Sequence, residues 1–91
     1  MKAVKAIVSG SVQGVGFRQA TRSQARGAGL LGWVRNEHRD GTVEVWLQGD
    51  DEAVNRIVDW LWHGPPGAMV SGVESETVAP DRLIQDFVIR Q

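Results

Sequence analysis

Apolar and polar residues alternate at the start of the chain: Val4, Ala6, Val8 and Val12 share one parity, and Lys5, Ser9 and Ser11 take the other. A two-residue period predicts a strand over residues 2–12 that is covered on one face. Gly14 and Gly16 end the alternation and leave a glycine-containing loop. From Phe17 to about Ala28 the period lengthens. Phe17, Ala20, Thr21, Gln24 and Ala28 form the apolar or small stripe of a helix, Arg18, Arg22 and Arg26 lie opposite it, and Gly27 and Gly29 stop it. Two strand-like runs, Leu30 to Asn36 and Thr42 to Gln48, then flank the polar stretch Glu37-His38-Arg39-Asp40-Gly41, and Asp-Gly between such runs signals a hairpin. In the second run Val43, Val45 and Leu47 share the inward parity, leaving Glu44, Trp46 and Gln48 on the other.

A second helix opens at Gly49-Asp50-Asp51-Glu52, repeats Ala53, Ile57 and Leu61 at a spacing of four, and stops at His63-Gly64-Pro65. Acids at its start and a histidine at its end both suit the helix dipole. Two more strand-like segments, Met69 to Val78 and Leu83 to Arg90, are parted by Ala79-Pro80-Asp81. The predicted order is strand, helix, strand, strand, helix, strand, with room for an extra strand near Val70 to Val78. That order is a doubled split βαβ unit: an α+β, ferredoxin-like sandwich (βαββαβ) with an antiparallel sheet and both helices packed on one face. Residues 1–91 read as a single domain, since 91 residues leave no room for a second core.

Ten basic and eleven acidic residues leave a net charge of −1, so charge gives no pull toward nucleic acid or an anionic membrane. The chain has no cysteine, which removes disulfides, thiolate metal sites and thiol nucleophiles. His38 and His63 lack metal-ligand spacing, and the acids at 50–52 are explained by a helix start, so no metal and no cofactor are expected. Lys5 and Ser9-Gly10-Ser11 interrupt the apolar run at the start, so no targeting segment is read and a soluble, cytoplasmic, monomeric protein is expected. Four tryptophans are many for this length. Trp60 and Trp62 cannot share a helix face, which leaves one of them near the surface, and all four read as packing residues.

The chemistry concentrates in Gly10-Ser11-Val12-Gln13-Gly14-Val15-Gly16-Phe17-Arg18, which joins the first strand to the first helix. A helix start offers unpaired N–H groups and the positive end of the dipole, and nearby glycines let successive N–H groups converge on an anion. A cation in a first helical turn is disfavoured by about 0.3–1 kcal/mol, and an anion in the loop reverses that sign. A guanidinium fork also matches two phosphate oxygens. Spacing alone leaves Arg18 between an anion ligand and a solvated surface arginine, and Asn36 between a site residue and an ordinary turn residue. The loop lacks the Gly-Lys-Ser or Gly-Lys-Thr ending of a nucleotide loop and the third glycine of a dinucleotide fingerprint. Arg22 and Arg26 read as a solvated stripe.

This loop closely resembles the acylphosphatase signature Gly-x-Val-Gln-Gly-Val-x-Phe-Arg, met by Gly10, Val12, Gln13, Gly14, Val15, Phe17 and Arg18. The family's second signature is similar to Gly32-Trp33-Val34-Arg35-Asn36 followed by Gly41, Val43 and Gly49, and Gly64-Pro65 and Phe87-x-Ile89 resemble its tail. The resemblance implies a ferredoxin-like sandwich and hydrolysis of small-molecule carboxyl-phosphate anhydrides, with no cofactor. It implies a catalytic arginine at Arg18, a catalytic asparagine at Asn36, and a phosphate cradle on the backbone of Gln13, Gly14, Val15, Gly16, Phe17 and Arg18. An asparagine has no useful basicity, so its role would be to orient the attacking water. One departure is a turn after Asn36 that is one residue longer than the family's usual one. A bulge can absorb it without moving Asn36, and because bulges often re-aim neighbouring side chains, the angle of Asn36 is more at stake than phosphate binding. The contrasting expectation is a binding module on the same sandwich. It would hold phosphate with weak or no catalysis, or bind nucleic acid through Trp46 on the open sheet face.

Overall fold

The computed structural model describes residues 1–91. Its elements are β1 (Lys2–Ser11), α1 (Phe17–Gly27), β2 (Leu31–Glu37), β3 (Thr42–Gly49), α2 (Asp51–Leu61), β4 (Met69–Val78) and β5 (Phe87–Ile89). The strands form one sheet in the order β4-β1-β3-β2-β5. The first four pair antiparallel, and β5 adds to β2 in parallel. Both helices pack on the sheet face that carries Val4, Ala6, Val8, Val34, Val43, Val45 and Leu47, all buried. The period-two parities of β1 and β3 therefore point where the alternation predicted.

The last third of the chain differs in detail from its pattern. Met69 to Val78 is the regular fourth strand, running beside β1, and the run from Leu83 to Arg90 shrinks to the short β5. The Asp81 carboxylate accepts from Leu83 N at 2.9 Å and its carbonyl accepts from Ile84 N at 3.2 Å, so the backbone turns where extension was expected. Leu83 is left 89% exposed, and within β5 Phe87 is fully buried while Ile89 is partly so.

The first helix also sits slightly rotated from its predicted stripe. Phe17, Thr21 and Ala25 are buried, whereas Gln24 is exposed and Ala28 only half-buried. Thr21 tolerates burial because its hydroxyl donates to Phe17 O at 2.8 Å. Arg26 is not simply solvated: its Nε donates to Phe87 O at 3.1 Å and its Nη2 to Asp86 at 3.2 Å, tying the end of α1 to β5. In α2, Asp50 is the N-cap and accepts from Ala53 N at 3.2 Å, while Trp60 packs on Phe17 at 5.9 Å and Trp62 is 51% exposed.

Gln48 is the clearest surprise. Its parity put it on the open face beside Glu44 and Trp46, yet it is 2% exposed. The loop after β4 covers it. Its Nε2 donates to Asp81 O, and its Oε1 accepts from Asp81 N and from Trp46 Nε1, each at 2.9 Å. Gln48→Leu should destabilise the fold by about 2–3 kcal/mol, because three polar groups lose their partner together. A thermal melt followed by circular dichroism should drop by roughly 10 °C. Gln48 pairs with Ala3 at the opposite end of β1 from the glycine loop, so turnover at room temperature should survive. A melt unchanged within about 2 °C would show that the loop holds its place without this amide.

Candidate functional site

The loop between β1 and α1 is shaped by two glycines in left-handed backbone, Gly14 at φ 78° and Gly16 at φ 75°. A Cβ at either would meet nothing within 4 Å, so dihedral angle and not crowding demands glycine there. With the backbone curled this way, the main-chain N–H groups from Gln13 to Gln19 donate to no acceptor of the protein. The contrast with α2 is direct: Gly16, the N-cap of α1, offers no side chain, and the first turn of α1 contains no acid. The positive end of the α1 dipole is therefore left without an internal partner.

Arg18 sits in that first turn, half-buried, and its guanidinium makes no ion pair or hydrogen bond within the protein. Asn36 reaches the same place from β2. It pairs with Val43 and shares parity with Val34, so it lies on the helix-covered side of the sheet, near the end of the strand. Its Oδ1 is buried and receives no hydrogen bond from any protein group. A buried acceptor left this way costs about 1–3 kcal/mol, so the oxygen is poised for a donor that the chain does not supply.

Arg18 and Asn36 meet in one cleft of about 340 Å³, lined also by Val12, Gly14, Gly16, Phe17, Gln19 and Ile89. Of the loop residues expected to form the cradle, Gly14, Gly16, Phe17 and Arg18 line it, while Gln13 and Val15 do not. The Val15 side chain packs toward the core, and that of Gln13 turns to the β2–β3 hairpin. Val12, Gln19 and Ile89 were not foreseen. Ile89 could have been found from its parity with Phe87 in the last strand, which brings both to the covered face. The cleft's one charged lining residue is Arg18, which suits an anion of small size.

The longer turn after Asn36 leaves the ladder intact. Register runs without a shift from Asn36↔Val43 to Glu37↔Thr42, so no bulge forms. The extra residue is taken up inside the turn, where Gly41 N donates back to Glu37 O at 2.9 Å and Arg39 N donates to the Glu37 carboxylate at 3.0 Å. Asn36 thus keeps the aim that an unbroken strand gives it.

The open sheet face has a different character. Trp33 and Trp46 stack on each other at 6.2 Å, and the Arg90 guanidinium covers Trp33 at 4.8 Å. Arg35 pairs with Glu44 at 2.8 Å beside them. Trp33 is thus packed from within the chain by Trp46 and Arg90. No cluster of three or more His, Asp or Glu residues forms a metal-ligand set, and no helix is long and apolar enough to cross a membrane.

The sequence model of the family described as Acylphosphatase matches residues 4–89. An acylphosphatase of Mesorhizobium japonicum is 57% identical over 88 residues, covering 97% of this chain and 93% of its own. One of Chromohalobacter salexigens is 56% identical over 82% of each chain. Among solved structures, an acylphosphatase from Coxiella burnetii superposes with a TM-score of 0.93 at 38% identity, over 98% of this chain and 92% of that one. The acylphosphatase of Bacillus subtilis does so with a TM-score of 0.94 at 32% identity over the whole of both chains. Agreement in sequence and in fold over essentially the full length, including the loop and the strand that build the cleft, means that this protein belongs to the acylphosphatase family.

Proposed function

We propose that the protein hydrolyses the carboxyl–phosphate bond of small acyl phosphates, with Arg18 and the loop amides holding the phosphoryl group and Asn36 orienting the attacking water. The observation that carries this reading is the meeting, in one cleft, of an unpaired guanidinium, a run of free main-chain N–H groups and a buried carboxamide oxygen with no donor. The first two are complementary to a phosphoryl dianion. The third is complementary to a water proton.

An acyl phosphate already carries a good leaving group, a carboxylate, so its cleavage needs little acid assistance. What remains is to bind the phosphoryl charge, to stabilise it as it spreads over the equatorial oxygens, and to place water in line with the leaving oxygen. The water oxygen bonds to phosphorus as the bond from phosphorus to the acyl oxygen breaks. The bonding pair leaves with the carboxylate, and the water's proton passes to a phosphoryl oxygen. No side chain has to act as a base, which fits a cleft whose polar side chains are an arginine, a glutamine and an asparagine. With the phosphoryl charge met by Arg18 and the loop amides, the reading is of a monomer acting on a small-molecule substrate without a metal or cofactor.

The direct test is hydrolysis of benzoyl or acetyl phosphate, followed by release of the carboxylate. Turnover should be unchanged by a chelator and competitively suppressed by inorganic phosphate, which occupies the same cradle. Loss of turnover on chelation, or inhibition by phosphate that more substrate does not relieve, would contradict the assignment. A cleft that binds phosphate tightly yet turns over no acyl phosphate would make the protein a phosphate-binding module on this scaffold.

A further inference from the structure

Gln13 carries a role that its place in the loop does not reveal. Its half-buried side chain leaves the cleft and crosses to the hairpin, where Nε2 donates to Glu37 O at 3.1 Å and to Thr42 O at 2.9 Å. One nitrogen thus uses both its hydrogens on the carbonyls of the two residues that form the last pair of the β2–β3 ladder. Glu37 is the residue immediately after Asn36.

Sheet order makes this contact matter. β3 lies between β1 and β2, so the strand that leads into the anion loop and the strand that carries Asn36 share no ladder hydrogen bonds. Their only sheet connection runs through β3. The Gln13 amide is a direct strut from the loop to the end of β2, closing a short triangle among loop, Asn36 strand and turn. A long, flexible side chain fixed this way gives up rotamer freedom worth about 1.5–2 kcal/mol. The two hydrogen bonds oppose that cost, and they fix one spacing between loop and strand.

We propose that Gln13 is a positioning residue: its side-chain amide sets the distance between the phosphate cradle and Asn36, and so the line along which water meets the phosphoryl group. The inference rests on the roles given above to Arg18 and Asn36. It differs from a part in anion binding, because this side chain does not line the cleft and its charge is zero. Loosening the strut moves Asn36 relative to the bound anion while Arg18 and the free amides remain in place. Chemistry should suffer, and binding should not.

Gln13→Leu removes both donors, and Gln13→Glu keeps the shape while setting a carboxylate against two carbonyl oxygens. For each, kcat and KM with benzoyl phosphate would be measured beside the Kd of inorganic phosphate by titration calorimetry. The Asn36 side-chain NH2 resonances would be followed in ¹⁵N-labelled protein. The expected result is a fall in kcat of about 10- to 100-fold, since small misplacements of a reacting group cost on that order. Phosphate Kd should stay within about 3-fold, and the Asn36 resonances should shift or broaden. A phosphate Kd weakened as much as kcat falls would overturn the proposal and make Gln13 a shaper of the cradle. Full turnover in a folded variant would overturn it as well. The underlying reading fails separately: if Asn36→Ala keeps its turnover, the role of Asn36 is wrong whatever Gln13 does.

Discussion

Replacing Arg18 by glutamine is expected to cut turnover severely and weaken phosphate binding while leaving the fold at least as stable as before. The guanidinium makes no ion pair with another side chain, so its loss breaks no internal charge pairing. It also sits in the first turn of α1, where no acid balances it, and a cation there is unfavourable by about 0.3–1 kcal/mol. The variant, without phosphate, should therefore melt at the wild-type temperature or a few degrees above it. The opposite holds once an anion is present. A charge-assisted pair to phosphate is worth about 1.5–3 kcal/mol, so affinity falls by about 10- to 100-fold in the ground state. The transition state loses more, because the charge spreading over the phosphoryl oxygens meets one donor fewer, and such donors are typically worth 10²–10³ in rate. The combined loss in kcat/KM is then on the order of 10³-fold or greater. Thermal shift separates these terms cleanly. Phosphate at a hundred times its wild-type Kd should stabilise the wild type by about 2.7 kcal/mol and the variant, with its 10- to 100-fold weaker binding, by only about 0.4–1.4 kcal/mol. A variant that melts lower without phosphate, yet still gains the full phosphate shift, would mean that Arg18 is a structural residue and that the amides hold the anion by themselves.

What the sequence revealed, and what it did not, follows the range of the interactions involved. The alternation of Val4, Ala6 and Val8, the Asp-Gly turn and the acidic start of α2 are local features, and each appears in the fold where the pattern put it. The anion loop was legible for the same reason, since glycines, helix start and Arg18 lie within a few residues of one another. The parity of Gln48, opposite that of Val43, Val45 and Leu47, does not show its burial, because the group that covers it, Asp81, lies 33 residues away. Arg26 looked like part of a solvated stripe because its partner Asp86 is 60 residues away. The last strand was overextended because the Asp81 turn competes with an apolar run that has little core left to cover. Asn36 stands between these cases. Its parity with Val34 set it on the covered face, and a polar residue at the end of a covered strand is a signal of a site. The cleft it faces could be drawn only once α1 and β5 were in place.

Asn36→Ala should be the complement of the arginine variant: turnover falls by about 10²–10³ while inorganic phosphate binds nearly as before. The carboxamide carries no charge and so adds little to the attraction for a dianion, which the guanidinium and the amides already supply. In the proposed role it aims the water: its buried Oδ1, which no protein group satisfies, would accept a hydrogen bond from the water and turn the water's lone pair toward phosphorus. Without it the water in the cleft is still present but no longer held in line, and the advantage of a fixed near-attack geometry is lost. Stability should not suffer, because the substitution deletes an acceptor that no protein group satisfies, and unsatisfied buried acceptors are themselves unfavourable. Calorimetry with phosphate and a thermal melt can be run on the inactive protein, so the test does not depend on residual turnover. Asn36→Asp sharpens it: a carboxylate at this position would face the bound phosphate, and both activity and phosphate affinity should fall together. If the alanine variant instead lost phosphate affinity in step with turnover, Asn36 would be a ligand of the anion, and the water would have to be aimed by another group. Gln19 is the one other neutral polar side chain lining the cleft that could take its place.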